Sequence, residues 1–150
     1  MAHSLTLLLV HVVFSTKGRL RMIDSTLKPR LHAYLGGIVL EEGATAHIIN
    51  GVEDHVHMLI DLPASRALAD LLRVVKTNSS RWVHDLDRRY AAFAWLSGYG
   101  AFSVSRSKFD EVSAYIMRQE EHHRTRTFEE EYLAMLRRHG IEFDERFVVD

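Results

Sequence analysis

His55-Val56-His57 places two imidazoles two residues apart within residues 54–62, a run whose apolar composition reads as a strand. Side chains alternate faces along a strand, so His55 and His57 share one face while Val56, Met58 and Ile60 line the other. Two imidazoles on one strand face can grip one cation, and Asp54 and Asp61 add acidity at the ends of the run. Two exposed strand histidines without a role fit the same pattern. Tyr115 and Gln119 form a second pattern. Four residues apart on a helix predicted over residues 108–124, they share a face beside the apolar stripe of Phe109, Val112 and Ile116. A phenolic oxygen becomes a covalent nucleophile when a metal or a base lowers its proton affinity. Gln119 offers a neutral carbonyl oxygen one turn away, with His122 and His123 following. A half-buried tyrosine beside a solvated glutamine is the plainer account of that spacing. The third pattern is basic. Lys17, Arg19, Lys76, Arg81, Arg106 and Lys108 are the candidate contacts to nucleic-acid phosphates, and Trp95 and Tyr99 could stack bases. Ordinary solvated helix faces account for most of these cations one by one, and Trp82 and Trp95 are more often core.

The elements that must position these groups follow from periodicity. Residues 5–14 form an apolar first strand ending in Ser15-Thr16-Lys17-Gly18. Asp24 and Ser25 can cap a helix carrying Leu27, Leu31, Tyr34, Leu35 and Ile38 at helical spacing. Pro29 is tolerated only in a first turn, which moves the helix start toward Leu27 or Lys28, and Gly43 is a terminator. Residues 44–52 and 54–62 read as a hairpin. A long amphipathic helix over about residues 66–90 follows. A fourth strand is expected over residues 93–105, where Gly98 and Gly100 signal a bulge or a close backbone approach. After the tyrosine helix, a shorter helix from Phe128 to Arg138 ends at Gly140, and the chain finishes extended. The order β-α-β-β-α-β predicts an α+β fold of the ferredoxin-like, split βαβ kind. Its antiparallel sheet would carry helices on one face and leave the other for a site or a partner, with a C-terminal helix and tail added. Residues 1–126 form the one domain, and residues 127–150 are an acidic helix and tail rather than a second domain.

Composition bounds the chemistry. The 150 residues are 47% hydrophobic and 26% charged, ordinary for a globular chain. With no cysteine, disulfides and thiolate metal sites are excluded. The net charge is -1, unevenly spread: residues 1–128 carry 16 Lys and Arg against 13 Asp and Glu, and residues 129–150 carry 3 against 7. A mildly basic body is compatible with a phosphate-binding face. The apolar run at residues 5–14 is too short to span a bilayer and contains His11, so a soluble, cytoplasmic protein is expected.

Taken in order, these segments resemble the single-tyrosine HUH transposases of small insertion sequences, including the repeat-associated tyrosine transposases. The matching residues are His11-Val12-Val13-Phe14-Ser15-Thr16-Lys17, Asp54-His55-Val56-His57-Met58-Leu59, Lys76-Thr77 with Ser79-Ser80-Arg81, Trp95 with Gly98-Tyr99 and Ser103-Val104, and Tyr115-Ile116 with Gln119 and His122-His123. The resemblance spans about residues 5–124. It implies that His55, His57 and Gln119 bind Mg²⁺ or Mn²⁺. It implies that Tyr115 attacks a phosphate of single-stranded DNA, leaving a 5′-phosphotyrosine and a 3′-hydroxyl, and that a second 3′-hydroxyl reseals the strand. Substrates with a hairpin near the cleavage site, and a homodimer, are implied in the same way. Three rivals stand beside this reading: a non-catalytic, domesticated nucleic-acid-binding module of the same fold, a metal-dependent hydrolase of small phosphoesters, and a dimeric interaction protein without a metal.

Overall fold

The computed structural model describes residues 3–148; the two residues at each end of the predicted domain and tail lie outside the described residues. β1 (Leu9–Ser15), β2 (Thr45–Val52), β3 (His55–Asp61) and β4 (Gly100–Val104) form one sheet in the order β2-β3-β1-β4, and every pairing is antiparallel. α1 (Leu27–Glu41) and α2 (Leu68–Leu86) supply the two crossovers. This is the expected split βαβ arrangement.

Strand alternation sorts the sheet into two faces. Val12 and Phe14 of β1 and Val56, Met58 and Ile60 of β3 pack against Leu31, Leu35, Leu71, Leu72 and Val75 of α1 and α2. That layer is the main core. α1 begins at Leu27, and the carboxylate of Asp24 accepts the backbone N–H groups of Thr26 (3.1 Å) and Leu27 (2.8 Å), so aspartate caps the helix and Pro29 falls in its first turn. Glu53 and Asp54 turn the β2–β3 hairpin, and Gly51 of β2 lets the two strands close up just before it: a Cβ there would stand 2.1 Å from the carbonyl oxygen of His55.

The second face is roofed rather than open. α3 (Phe109–Met117), α4 (Gln119–His122) and α5 (Phe128–Arg138) cover it. Ile116 packs on Leu9 and Leu59, while Phe128, Leu133, Met135 and Leu136 pack with Val13 and Phe102. Gly100 is needed here, because an added Cβ would stand 2.5 Å from the ring of Tyr132 on α5.

Several boundaries differ from expectation. The first strand begins at Leu9 rather than residue 5, and Leu5, Leu7 and Leu8 are exposed. The second long helix starts at Leu68 and stops at Leu86. The fourth strand is confined to Gly100–Val104, because Gly98 adopts a left-handed φ of 88° and residues 93–99 follow an irregular path with a single bridge from Trp95 to Thr16. The tyrosine helix is two pieces, broken at Arg118. The chain ends in a short helix, α6 (Glu145–Val148), where an extended end was expected. Among the described residues no helix is long and apolar enough to cross a membrane.

Candidate active site

The roofed face of the sheet carries the histidines. Pleating points His55 and His57 of β3 and His11 of β1 toward α3–α5, and His55 and His57 are fully buried. In β1, His11 stands opposite Leu59 and Val13 opposite His57, so His11 reaches His57 diagonally, its Nε2 2.8 Å from Nδ1 of His57. Nδ1 of His55 meets the carboxylate of Asp54 at 2.7 Å.

Tyr115 arrives from α3. Its ring stacks on His122 with centroids 4.7 Å apart, and lies 6.0 Å from the ring of His57. The helix is fastened to the sheet at its C-terminal end: the side-chain amide of Asn50 in β2 donates to the carbonyls of Ile116 (2.9 Å) and Met117 (3.1 Å). Carbonyls at a helix end run short of intrahelical donors, and the Asn50 amide adds two there, beside the Arg118 N–H that also reaches the Ile116 carbonyl. The break at Arg118 leaves Gln119 opening α4, fully buried, with its carbonyl oxygen 2.9 Å from Nε2 of His55. Tyr115, His55, His57 and Gln119, all singled out in the sequence, therefore come together.

Glu131 was not singled out, yet it stands at the centre. A capping box between Thr127 and Glu130 starts α5 and turns Glu131 inward, where it is fully buried. One carboxylate oxygen, Oε1, lies 3.3 Å from Nε2 of His55, 3.1 Å from Nε2 of His57 and 3.0 Å from Nε2 of His123. The other, Oε2, accepts the amide N–H of Gln119 at 2.9 Å and the hydroxyl of Tyr115. A signal was present in the sequence: Glu131 falls on the apolar stripe of α5, three residues after Phe128 and four before Met135, where a charge needs partners.

The electrostatics follow from burial and these contacts. Burial works to raise the Glu131 carboxyl, but hydrogen bonds from His123, His55 and His57 outweigh it and hold the group far below the usual carboxylate range. Burial works against charge on His55, but Asp54 and Glu131 push it up to about 9. Burial holds His57 down to about 4 and His11 down to about 3. Burial first, then the Glu131 charge, raises the Tyr115 phenol well above its ordinary value.

The candidate phosphate contacts are scattered and partly engaged. Arg19 pairs with Glu129 at 2.9 Å and Lys108 with Glu111 at 3.2 Å. Lys76 gives its ammonium to the carbonyls of Leu96 and Gly98, both at 2.6 Å. Arg106 lies over the ring of Phe109, and Lys17 and Arg81 are exposed. Trp95 is core: its indole N–H donates to Ser79 at 2.9 Å and its ring packs on Phe14, while Tyr99 stays exposed. Beside the site opens a cleft of about 820 Å³ that shares Asp54 and His123 with it and is flanked by Arg21, Lys28, Arg124 and Arg126.

The sequence pattern described as "Transposase IS200 like" matches residues 4–119, most of the chain. This chain belongs to the IS200-like transposase family. The matched residues include His55, His57, Tyr115 and Gln119, and stop before His123 and Glu131. Two solved structures share the IS200-like fold at a TM-score of 0.61 each. One is a Deinococcus radiodurans R1 protein described as a presumptive transposase, 20% identical, with 79% of this chain and 95% of that one covered. The other is a REP-associated tyrosine transposase bound to a REP hairpin, 12% identical, with 82% and 74% covered. No curated protein matches the chain.

Proposed function

We propose that this transposase nicks and rejoins single-stranded DNA, with Tyr115 as nucleophile beside a divalent cation held by His55 and His57. The observation that carries the reading is convergence: the Tyr115 hydroxyl and the Nε2 atoms of both histidines, from two different elements, meet the same Glu131 carboxylate. The donor set suits a cation. His55, His57 and Glu131 offer ligand atoms that all lie within 4.8 Å of one another. Asp54 and His11 hold the two Nδ1 atoms, so each Nε2 is the atom presented inward. Gln119 lies against His55 and is a further candidate donor. A bound Mg²⁺ or Mn²⁺ would polarise the scissile phosphate and offset its growing charge.

The chain's own residues do the rest. The Tyr115 oxygen bonds to phosphorus as the bond from phosphorus to the 3′ oxygen breaks, leaving a 5′-phosphotyrosine and a 3′-hydroxyl. The Glu131 oxygen facing the phenol is an acceptor for its proton. A second 3′-hydroxyl attacks the phosphotyrosine, restores Tyr115 and reseals the strand. Asn50 and the sheet beneath fix where the phenol stands. The substrate we propose is single-stranded DNA carrying a hairpin near the cleaved bond, contacted by cations among Lys17, Arg19, Lys76, Arg81, Arg106 and Lys108. The assembly we propose is a homodimer formed in the cytoplasm, and β4, an edge strand of the sheet, is available for it.

The test is a denaturing gel for a covalent protein–DNA adduct. Single-stranded DNA from the flanks of the gene is incubated with the protein and Mn²⁺ or Mg²⁺, beside Tyr115→Phe and His57→Ala. An adduct that needs metal, Tyr115 and His57 supports the reading. DNA binding without any adduct across all flanking sequences would reject it in favour of a non-catalytic binding module.

A further inference from the structure

We propose that the pocket between the C-terminal end of β1, the loop before β4 and α5 receives one unpaired pyrimidine base of the DNA strand, with Tyr99 as its stacking surface and Ser15 as its hydrogen-bonding group. The proposal rests on the reading that the substrate is single-stranded DNA, and it assigns base recognition to residues that the phosphate chemistry does not use.

Three observations carry it. First, the pocket comes from a slip in strand register. β4 pairs with β1 as far as Gly100 opposite Val13, and regular continuation would bring Gly98 opposite Ser15. The bridge between Thr16 and Trp95 brings Leu96 there instead, and the Leu96 N–H donates to the Ser15 carbonyl at 2.9 Å. The extra chain is taken up by Ser97, Gly98 and Tyr99, with Gly98 at a left-handed φ of 88°, and a pocket of about 180 Å³ opens there. The Lys76 ammonium fastens this loop through the carbonyls of Leu96 and Gly98, both at 2.6 Å, so the pocket is preformed.

Second, Ser15 lines the pocket, is only 4% exposed, and its hydroxyl has no hydrogen-bond partner among the described residues. A buried hydroxyl left unpaired costs free energy, and the polar edge of a base would satisfy it. Third, the walls are aromatic. Tyr99 is 39% exposed, and Phe128 and Tyr132 of α5 lie nearly parallel, 11° apart with ring centroids 5.5 Å apart. Bases stack on such rings.

Size and place narrow the occupant. A cavity of about 150 Å³ holds benzene, so this one suits a single pyrimidine ring and is tight for a purine. Ser15 stands opposite His55 in the strand register, and Phe128 stacks on the His55 imidazole at 4.3 Å. The base therefore belongs to a nucleotide close to the cleaved bond.

Fluorescence anisotropy of the full chain with labelled oligo(dT), oligo(dC) and oligo(dA), without metal, tests the assignment. The wild type is expected to bind both pyrimidine strands more tightly than oligo(dA). Tyr99→Ala should weaken oligo(dT) binding by roughly tenfold, and Tyr99→Phe should restore most of it. Ser15→Ala should bring the pyrimidine strands down toward the affinity of oligo(dA), which it leaves unchanged. Equal affinity for all three strands, or a pyrimidine preference that survives both alanine substitutions, overturns the pocket. The transferase reading still stands in that case if the adduct that needs metal and Tyr115 forms; a chain that binds none of the strands and forms no adduct defeats both. A second measurement uses the wild type alone, photocrosslinked to oligo(dT) carrying 5-iododeoxyuridine. Peptide mapping is expected to find the crosslink on Tyr99, Phe128 or Tyr132, and a crosslink confined to other residues would overturn the proposal.

Discussion

The hydroxyl of Tyr115 donates to a carboxylate oxygen of Glu131, sixteen residues further along the chain. The candidate nucleophile and the acidic C-terminal helix are thus parts of one site. The contact has an electrostatic consequence, because a phenolate beside a carboxylate is disfavoured. Replacing Glu131 by Gln removes that charge, so the Tyr115 phenol should titrate at lower pH than in the wild type, toward the ordinary value of about 10. Ring-carbon NMR titration of the metal-free protein measures this. A titration unmoved by the substitution would assign the whole upward shift to burial.

Asn50 ties the tyrosine helix to the sheet. Asn50→Ala removes the side-chain donor shared by the carbonyls of Ile116 and Met117, which should cost about 1–2 kcal/mol in urea unfolding. Asn50 stands opposite His57 in the strand register, but its amide is spent on the helix and not on an imidazole or Glu131, so adduct formation should slow while Mn²⁺ affinity holds. A parallel loss of both would mean that Asn50 supports the whole site rather than the helix alone.

Acid stability should depend on His32. Its Nε2 is buried without a partner, and burial, then the charge of Lys28, hold the imidazole down to about 4. The unfolded chain binds that proton near pH 6.5, so the unfolded state carries more protons between the two values. The stability in question is therefore complete above about 6.5 and lost as pH falls toward 4. His32→Leu should flatten this acid limb by on the order of 2–3 kcal/mol. Thermal unfolding across pH compares the two proteins, and parallel curves would contradict the assignment.

Gly100 lets α5 approach the sheet. Gly100→Ala drives a Cβ to 2.5 Å from the ring of Tyr132, so the substitution should destabilise the chain by about 1–3 kcal/mol. Hydrogen exchange should show the loss first in α5. Adding Tyr132→Ala removes the obstacle, and the double variant should lose less stability than the two single changes sum to. Strict additivity would place the strain elsewhere.

The order of elements was legible because each rests on local periodicity: Val56, Met58 and Ile60 alternate, and Leu27, Leu31, Leu35 and Ile38 recur at helical spacing. The same alternation put His55 and His57 on one face, and the pairing of Tyr115 with Gln119 needed only the helical repeat. The break at Arg118 was hidden, yet did not matter, since both residues still reach the histidines. The irregular stretch before β4 was misread as strand because its aromatics resemble strand residues. One of them, Trp95, serves the core through Phe14 and Ser79 instead.

Sequence by itself therefore determined the sheet, its helices, the histidine pair and the tyrosine, all of which follow from spacings shorter than a helical turn or a strand. Tertiary structure alone decided that the second face is roofed, that His11 backs His57 across two strands, and that Glu131 of α5 meets His55, His57 and His123. Those contacts join residues 46 to 76 positions apart, or turn on the direction in which a helix after an irregular link re-enters the fold. Glu129, Glu130 and Glu131 look alike in the sequence. Only the packing of Phe128, Met135 and Leu136 against the sheet selects which of the three is turned into the site.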